Sequence, residues 1–310
     1  MIRVFNKTIF CVLSLGIASV IMAATPNNPS KNFSGTNHKN PFFQPSTLPF
    51  QAPPFNKIKD SDYKPAIEEG MKQQLEEIKK IADNPAAPTF ENTLVALEKS
   101  GQMLDRVTMV FNAVTAANTD SVLQKVQEEE APRLAAHHDA IFLNTKLFER
   151  VKAIYQKRKQ LKLDHESHKL ITYYYNKFVH AGANLSKEDK AKLKKLNEEE
   201  ATLIAKFINK LLAGTKDGAL VTSNKSELAG LSASQLDAAS QAAAGRGLKN
   251  KWVIPLQNTT QQPDLQFLND RKTRKQLFED SWNRCEHNDA NDTRSDIEHI
   301  AKIRAEKAKL

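Results

Sequence analysis

Residues 163–171 read LDHESHKLI and place His165, Glu166 and His168 within four positions. Imidazoles and a carboxylate this close could hold a metal ion and activate water. The pattern that does so from one helix is H-E-x-x-H, with histidines at i and i+4 and the glutamate as general base. Here the histidines stand at i and i+3. That spacing still shares a helical face, but no third ligand lies nearby in sequence. H-E-x-x-H occurs nowhere in the 310 residues. A helix start explains the same letters. Asp164 is a good N-cap, and Glu166 in the first turn complements the helix dipole. The expectation is that no catalytic, cofactor-binding or metal-binding residue is present in this chain.

Other chemical patterns are missing as well. The sequence has no G-x-S-x-G, no glycine-rich phosphate loop and no C-x-x-C. DANDTRSDIE, at 289–298, has the acidic spacing of a calcium loop, but it lacks the glycine at the sixth place. Ile300 stands where a bidentate glutamate belongs. Tyr173, Tyr174 and Tyr175 read as partly core and partly surface. His137 and His138 read as ordinary helix positions.

These residues must be positioned by helices. Ser61 or Asp62 caps a segment with Ile67, Met71, Leu75, Ile78 and Ala82 on one face. Thr89 opens the next, carrying Leu94, Leu97, Leu104, Val107, Phe111 and Val114, with Gly101 placed to break it in two. Ser121 starts a third, and Pro132 is expected to open a fresh turn. Helices follow over 146–160 and 164–180. SKED, at 186–189, is a capping box for a long helix with Leu193, Leu196, Leu203, Phe207 and Leu211. After Leu212 the texture changes. TKDGALVTS and KWVIPLQNTTQQP read as two strands of a small inset sheet, with Pro255 at an edge or bulge. Between them lies an alanine-rich helix, about 232–244, stopped by Gly245 and Gly247. Helices over about 264–284 and 293–310 end the chain. The last has no breaker before Leu310, and its stripe of Ile297, Ile300, Ala301 and Ala308 calls for a partner.

The N-terminus reads as a secretory signal peptide over 1–23. Arg3 and Lys7 form its positive region, Thr8 to Met22 its uncharged apolar stretch, and Ala23/Ala24 its cleavage site. Cys11 falls inside that stretch, so the exported, periplasmic chain keeps only Cys285 and makes no internal disulfide. Residues 24–40 read as a linker. Phe42, Phe43, Phe50 and Phe55 then suggest a segment pinned against a folded body, and Phe33 adds one more ring upstream. The net charge is +9, and its excess sits in 146–210, with 16 basic against 8 acidic residues. The acids are interleaved, as in SKEDKAKLKKLNEEE, which marks a solvated helix face more than a nucleic-acid surface.

Several long phrases carry a resemblance. They are NPFFQPSTLPFQAPPFNKIKDSDYKPAIEEGM, FENTLVALEKSGQMLDRV, LAAHHDAIFLNTKLFERV, FVHAGANLS, KWVIPLQNTTQQPDL and NDANDTRSDIEHIAKIRAEKAKL. In this order, from about Asn40 to Leu310, they resemble the N-terminal part of the bacterial peptidyl-dipeptidases (dipeptidyl carboxypeptidases). Those enzymes belong to the thimet oligopeptidase family of zinc metallopeptidases. The resemblance implies a mostly α fold, one multi-helix lobe of a two-lobed enzyme whose deep channel admits peptides and excludes folded proteins. It implies a helical N-terminal lobe over 41–212, then over 213–310 the small sheet and the start of a truncated catalytic domain. Family members are more than twice this long, and their H-E-x-x-H lies in the half that this sequence lacks. The expected function is therefore that of an N-terminal fragment of an exported enzyme that removes C-terminal dipeptides, inactive alone. The alternative is a non-enzymatic helical module that holds peptides. Zinc is the cofactor of the full-length family, with none expected for this chain alone. The partners implied are short peptides and a separately encoded catalytic half. No nucleic acid is expected, and no membrane span after signal cleavage.

Overall fold

The computed structural model describes residues 39–310. The readings of a signal peptide over 1–23, of Cys11 and Phe33, and of a linker up to residue 38 lie outside the described residues. Asn40–Leu310 forms one body, and it is mostly helical with one small sheet.

Two apolar cores organise its first half. Helix α1 (Asp60–Ala82), a wide π-helical turn (Phe90–Val95) running into α2 (Ala96–Glu98), α3 (Gln102–Ala117) and α4 (Ser121–Phe142) follow in order. Tyr63, Ile67 and Met71 of α1 meet Leu104, Val107 and Phe111 of α3 and Leu123 of α4 in the first core. The second core joins the end of α1, at Ile78 and Ile81, to α5 (Thr145–Lys157) and α6 (His165–His180) through Leu147, Phe148, Ile171 and Phe178. One face of α1 thus serves both cores, which is the consequence of its 3–4 spacing. Leu75 departs from that face and is 37% exposed. Its neighbour Gln74 turns inward instead, because it bonds His137 of α4.

Local chemistry sets most helix ends. Thr89 accepts from the Asn92 N–H at 3.1 Å, and Asn92 returns the bond to the Thr89 N–H at 2.9 Å. Asp120 accepts from the N–H groups of Val122 and Leu123. Gly101 does break the second segment. Its φ of 75° is a left-handed turn that a glycine enters without strain, and its N–H is held by Glu77 at 2.8 Å. Pro132 does not open a new turn, for α4 runs unbroken across it. Proline removes one helical hydrogen bond. Here α1 packs on one side of α4 and α7 on another, and that packing carries the helix through.

Helix α7 (Lys187–Asp217) starts at its Ser186 cap and continues past Leu212 to Asp217. At 1.5 Å per residue it spans roughly 46 Å. Strand β1 is therefore shorter than TKDGALVTS and covers only Leu220–Thr222. It pairs antiparallel with β2 (Trp252–Ile254), Val221 opposite Val253, and Pro255 follows β2 directly. Helix α8 (Ala233–Ala244) lies between them in sequence and packs on β2. Leu220, Leu228, Ile254, Leu268 and Leu277 make the core of this part.

The helix read over 264–284 is two: α9 (Gln261–Phe267) and α10 (Arg271–Trp282). The break is built by Asn269, whose N–H reaches the Ala229 carbonyl at 2.8 Å, and by Asp270, which caps α10 through the Thr273 N–H at 2.7 Å. Close behind, Cys285 is buried, its thiol facing the Lys210 carbonyl at 3.7 Å. A Cβ on Gly214 would stand 2.4 Å from that sulfur, so α7 and the turn after α10 touch through a glycine.

The last helix, α11 (Arg294–Lys307), lies on α7. Its buried residue is Ile303; Ile297 is exposed, and the stripe read from the sequence is not the face that packs. Charge accounts for the difference. Lys210 meets Asp296 at 2.7 Å, His299 meets Glu199 at 2.9 Å, and Glu200 takes both Arg304, at 2.6 Å, and Lys307. Burial raises the Glu200 carboxyl, but the bonds from Lys307 and Arg304 prevail and hold it below the usual carboxylate range.

Two measurements check this packing. A Cβ on Gly70 would fall 2.9 Å from the Leu104 Cα, so α1 and α3 cross in backbone contact. Gly70→Val should lower the unfolding free energy by about 1–3 kcal/mol in urea titration, the usual cost of overpacking. Glu200→Ala should speed amide exchange in 294–307 several-fold while leaving α1 and α3 unchanged. Equal protection of 294–307 in both proteins would show that the ion pairs do not hold α11.

Candidate functional site

The residues around 165 come first. Asp164 is the N-cap of α6, its carboxylate accepting the Ser167 N–H at 2.7 Å. That backbone bond holds its carboxyl below the usual range. His165 is exposed and His168 half-buried on the first turn. No group of three or more His, Cys, Asp or Glu side chains converges among the described residues. The acidic run at 289–298 is turned on itself. Asp292 accepts from the Asn288 N–H, the Arg294 N–H and the Arg294 guanidinium, and those bonds hold its carboxyl far below the usual range.

The three tyrosines separate as their spacing requires. Tyr174 is buried with its hydroxyl on Glu98, and burial with that bond raises its pKa. Tyr175 stacks on Tyr155 at 3.7 Å between centroids, with the Arg158 guanidinium 3.8 Å from the Tyr155 ring. Tyr173 is exposed.

An open cleft of about 480 Å³ lies between α8, the end of β2 and α9. Small side chains make the space: Ala238, Ala239 and Ala242 face Ile254 and Pro255. Its polar anchor is Asp264, 7% exposed. Gln235 donates to Asp264 Oδ1 at 2.7 Å, while its own Oε1 takes the Ser232 N–H at 2.9 Å. The cap of α8 and the carboxyl are thereby fixed together. Burial pushes the Asp264 pKa up, against the pull of the Gln235 bond. One carboxyl on an apolar wall, with an amide beside it, suits recognition of a small group that donates hydrogen bonds. A second hollow, about 440 Å³, lies where Phe148 and Lys152 of α5 face Ala183, Lys187 and Lys190.

Sequence reasoning missed a polar seam on α4. Glu130 is 1% exposed and bonded to Arg133 at 2.9 Å, and burial raises its pKa. Asp139 is buried and takes both its oxygens to the Asn197 amide of α7, at 2.9 and 2.8 Å. His137, read as an ordinary helix position, does lie within α4, but on its inward side. It is buried, and its Nε2 meets Gln74 of α1 at 2.7 Å. The available signal was the seven-residue step from Glu130 to His137, two turns along one face.

Comparison with known proteins gives the lineage. No family model matches the chain. The dipeptidyl carboxypeptidase of Escherichia coli is 50% identical over 271 residues, which cover 87% of this chain and 40% of that protein. Its counterpart from Salmonella typhimurium is 49% identical over the same shares. The organellar oligopeptidase A of Arabidopsis thaliana, chloroplastic/mitochondrial, is 26% identical over 273 residues, 84% of this chain and 34% of that one. Over its matched length this helical body with a small inset sheet is a piece of the dipeptidyl carboxypeptidase family. Its likeness to oligopeptidase A is more distant. The chain spans about 40% of the length of the curated relatives it matches.

The seam has a pH consequence. Burial, with His138 adding to it, lowers the His137 pKa to about 4 from an ordinary 6.5. The native state therefore resists the proton that the unfolded chain accepts. The stability this lends is fully present above about pH 6.5 and is lost as pH falls toward 4, by roughly 2–3 kcal/mol. His137→Gln, which does not titrate, should flatten the slope of stability between pH 6.5 and 4. An unchanged slope in urea titrations across that range would remove His137 as its source.

Proposed function

We propose that this chain is the N-terminal part of an exported zinc peptidyl-dipeptidase that removes C-terminal dipeptides from oligopeptides. In this reading its helices form one wall of the peptide chamber and its own residues cut no bond. The observation that carries the reading is the 50% identity over 271 residues of a relative of which the chain spans only 40%. The sequence supports the second element, for a hydrolytic zinc site needs converging ligands and an open position, and H-E-x-x-H is absent from these 310 residues. In this reading the zinc, the general base and the hydrolytic step that the resemblance implies are supplied by the portion of the relatives that this chain does not match. Export follows from the reading of residues 1–23 and is tested by locating the protein in fractionated cells.

The cleft beside α8 favours a second reading, a module that holds peptides without cleaving them. Its apolar wall and single carboxyl are what such a module would use. Short peptides titrated against the purified chain would displace backbone signals around 234–264 if this holds.

The decisive assay is release of a C-terminal dipeptide from a blocked tripeptide. The purified chain with added zinc should show no chelator-sensitive turnover. Turnover that survives purification of a host-protease-free preparation, and that a chelator stops, overturns the proposal. Adding the missing portion of the E. coli relative should restore it.

A further inference from the structure

The segment that follows Asn40 was expected to lie pinned by its phenylalanines. Only Phe42 is. Its ring sits in the first core, 5.3 Å from Tyr63, and its carbonyl takes the Arg106 guanidinium at 2.7 Å. Downstream, Ile58 packs on the same core and the Lys59 N–H is held by Asp62 at 2.8 Å. Between these two anchors the chain bulges out and turns its apolar side chains away from the body. Leu48 is 45% exposed, Phe55 59% and Phe50 102%.

This bulge is firmly built. The Ser46 hydroxyl donates to the Ala52 carbonyl at 2.7 Å and accepts the Leu48 N–H at 3.2 Å. The Gln51 N–H reaches the Leu48 carbonyl at 2.9 Å, and the Ala52 N–H that of Pro49 at 3.1 Å. Pro45, Pro49, Pro53 and Pro54 stiffen it further. Two successive residues that are not glycine, Phe50 and Gln51, sit in the left-handed region at φ 57° and 56°. Side chains there are strained, and such strain persists where surrounding structure or function demands it. Without a partner, the loop holds three large apolar groups in water on a strained backbone. Rigid, preformed apolar groups are the usual make-up of a contact surface.

We infer that Leu48, Phe50 and Phe55 form a docking knob, and that its occupant is the portion of a dipeptidyl carboxypeptidase chain that this chain does not span. The inference rests on the function proposed above and adds where the two portions meet. The relative lengths select the occupant. A chain matching 40% of its relatives leaves about 60% of such a protein to be placed against this body. That polypeptide would bring a hydrophobic pocket with no charge facing the knob, since the loop from 44 to 56 carries no charged residue.

The test joins this chain to the unmatched portion of the E. coli relative in one polypeptide and compares it with the 310-residue chain. Peptide cleavage by the chimera and hydroxyl-radical labelling of Phe50 are read in both. The expected result is an active chimera in which Phe50 labels at least fivefold less than in the 310-residue chain. Phe50→Ser should then lower the thermal midpoint of the chimera and leave that of the 310-residue chain unchanged or higher. An active chimera that labels Phe50 as heavily as the chain alone overturns the docking and leaves the peptidase reading standing. An inactive chimera removes that reading and the inference with it. Labelling that falls with concentration in the chain alone makes a second copy the occupant and overturns the proposal.

Discussion

Helix α4 is the constraint on which the helical body depends. It packs against α1 and against α7, and it carries polar groups into both contacts. His137 is matched to Gln74 on α1, Asp139 to Asn197 on α7, and Glu130 to Arg133 on α4 itself. Apolar faces alone could slide or rotate against one another. A buried carboxylate that must meet one amide cannot, because an unmet buried polar group costs about 1–3 kcal/mol. The two pairings that cross to α1 and α7 fix the rotation of α4 about its own axis, and through it the relative setting of those two helices.

Helix α7 extends that setting to the rest of the body. It leaves α4 and continues into the part that holds the sheet, where α11 lies on it with paired charges across the contact. The contrast is physical. The cores around α1 resist water, whereas α11 is held by ion pairs that are partly exposed and weakened by salt. Salt therefore weakens part of what seats α11 on α7.

Where local chemistry decides, the sequence was readable. Thr89, Asp164 and Ser186 all cap the helices that their spacing announces, and Gly101 breaks the segment it was read to break. A cap needs only its own next three residues, so a short stretch carries the information. One misreading is local: α1 is capped at Lys59, and Asp62, read as a cap, stands at the third helical position and accepts the Lys59 N–H. The others belong to distant partners. Pro132 stays inside α4 because two other helices hold it there. The break before Asp270 depends on the Ala229 carbonyl, some forty residues earlier. Ile297 lies outside and Ile303 inside because the acids of α7 choose the face. The cleft at Asp264 was not legible at all, since its walls come from three elements whose meeting no local pattern records. Phe42, Phe43, Phe50 and Phe55 were read as pinning the N-terminal loop to the folded body, and of these four only Phe42 is buried.

The contact between Gly214 and Cys285 has a use of its own. The sulfur fits only because α7 offers a bare backbone at that point, and burial raises the thiol pKa, so the native thiolate is scarce. A thiol reagent reaches Cys285 when the turn after α10 lifts away from α7. The rate of its modification is then a stopwatch for that opening, set by nature at the junction of the helical body with its C-terminal portion, and it needs no engineered dye or label.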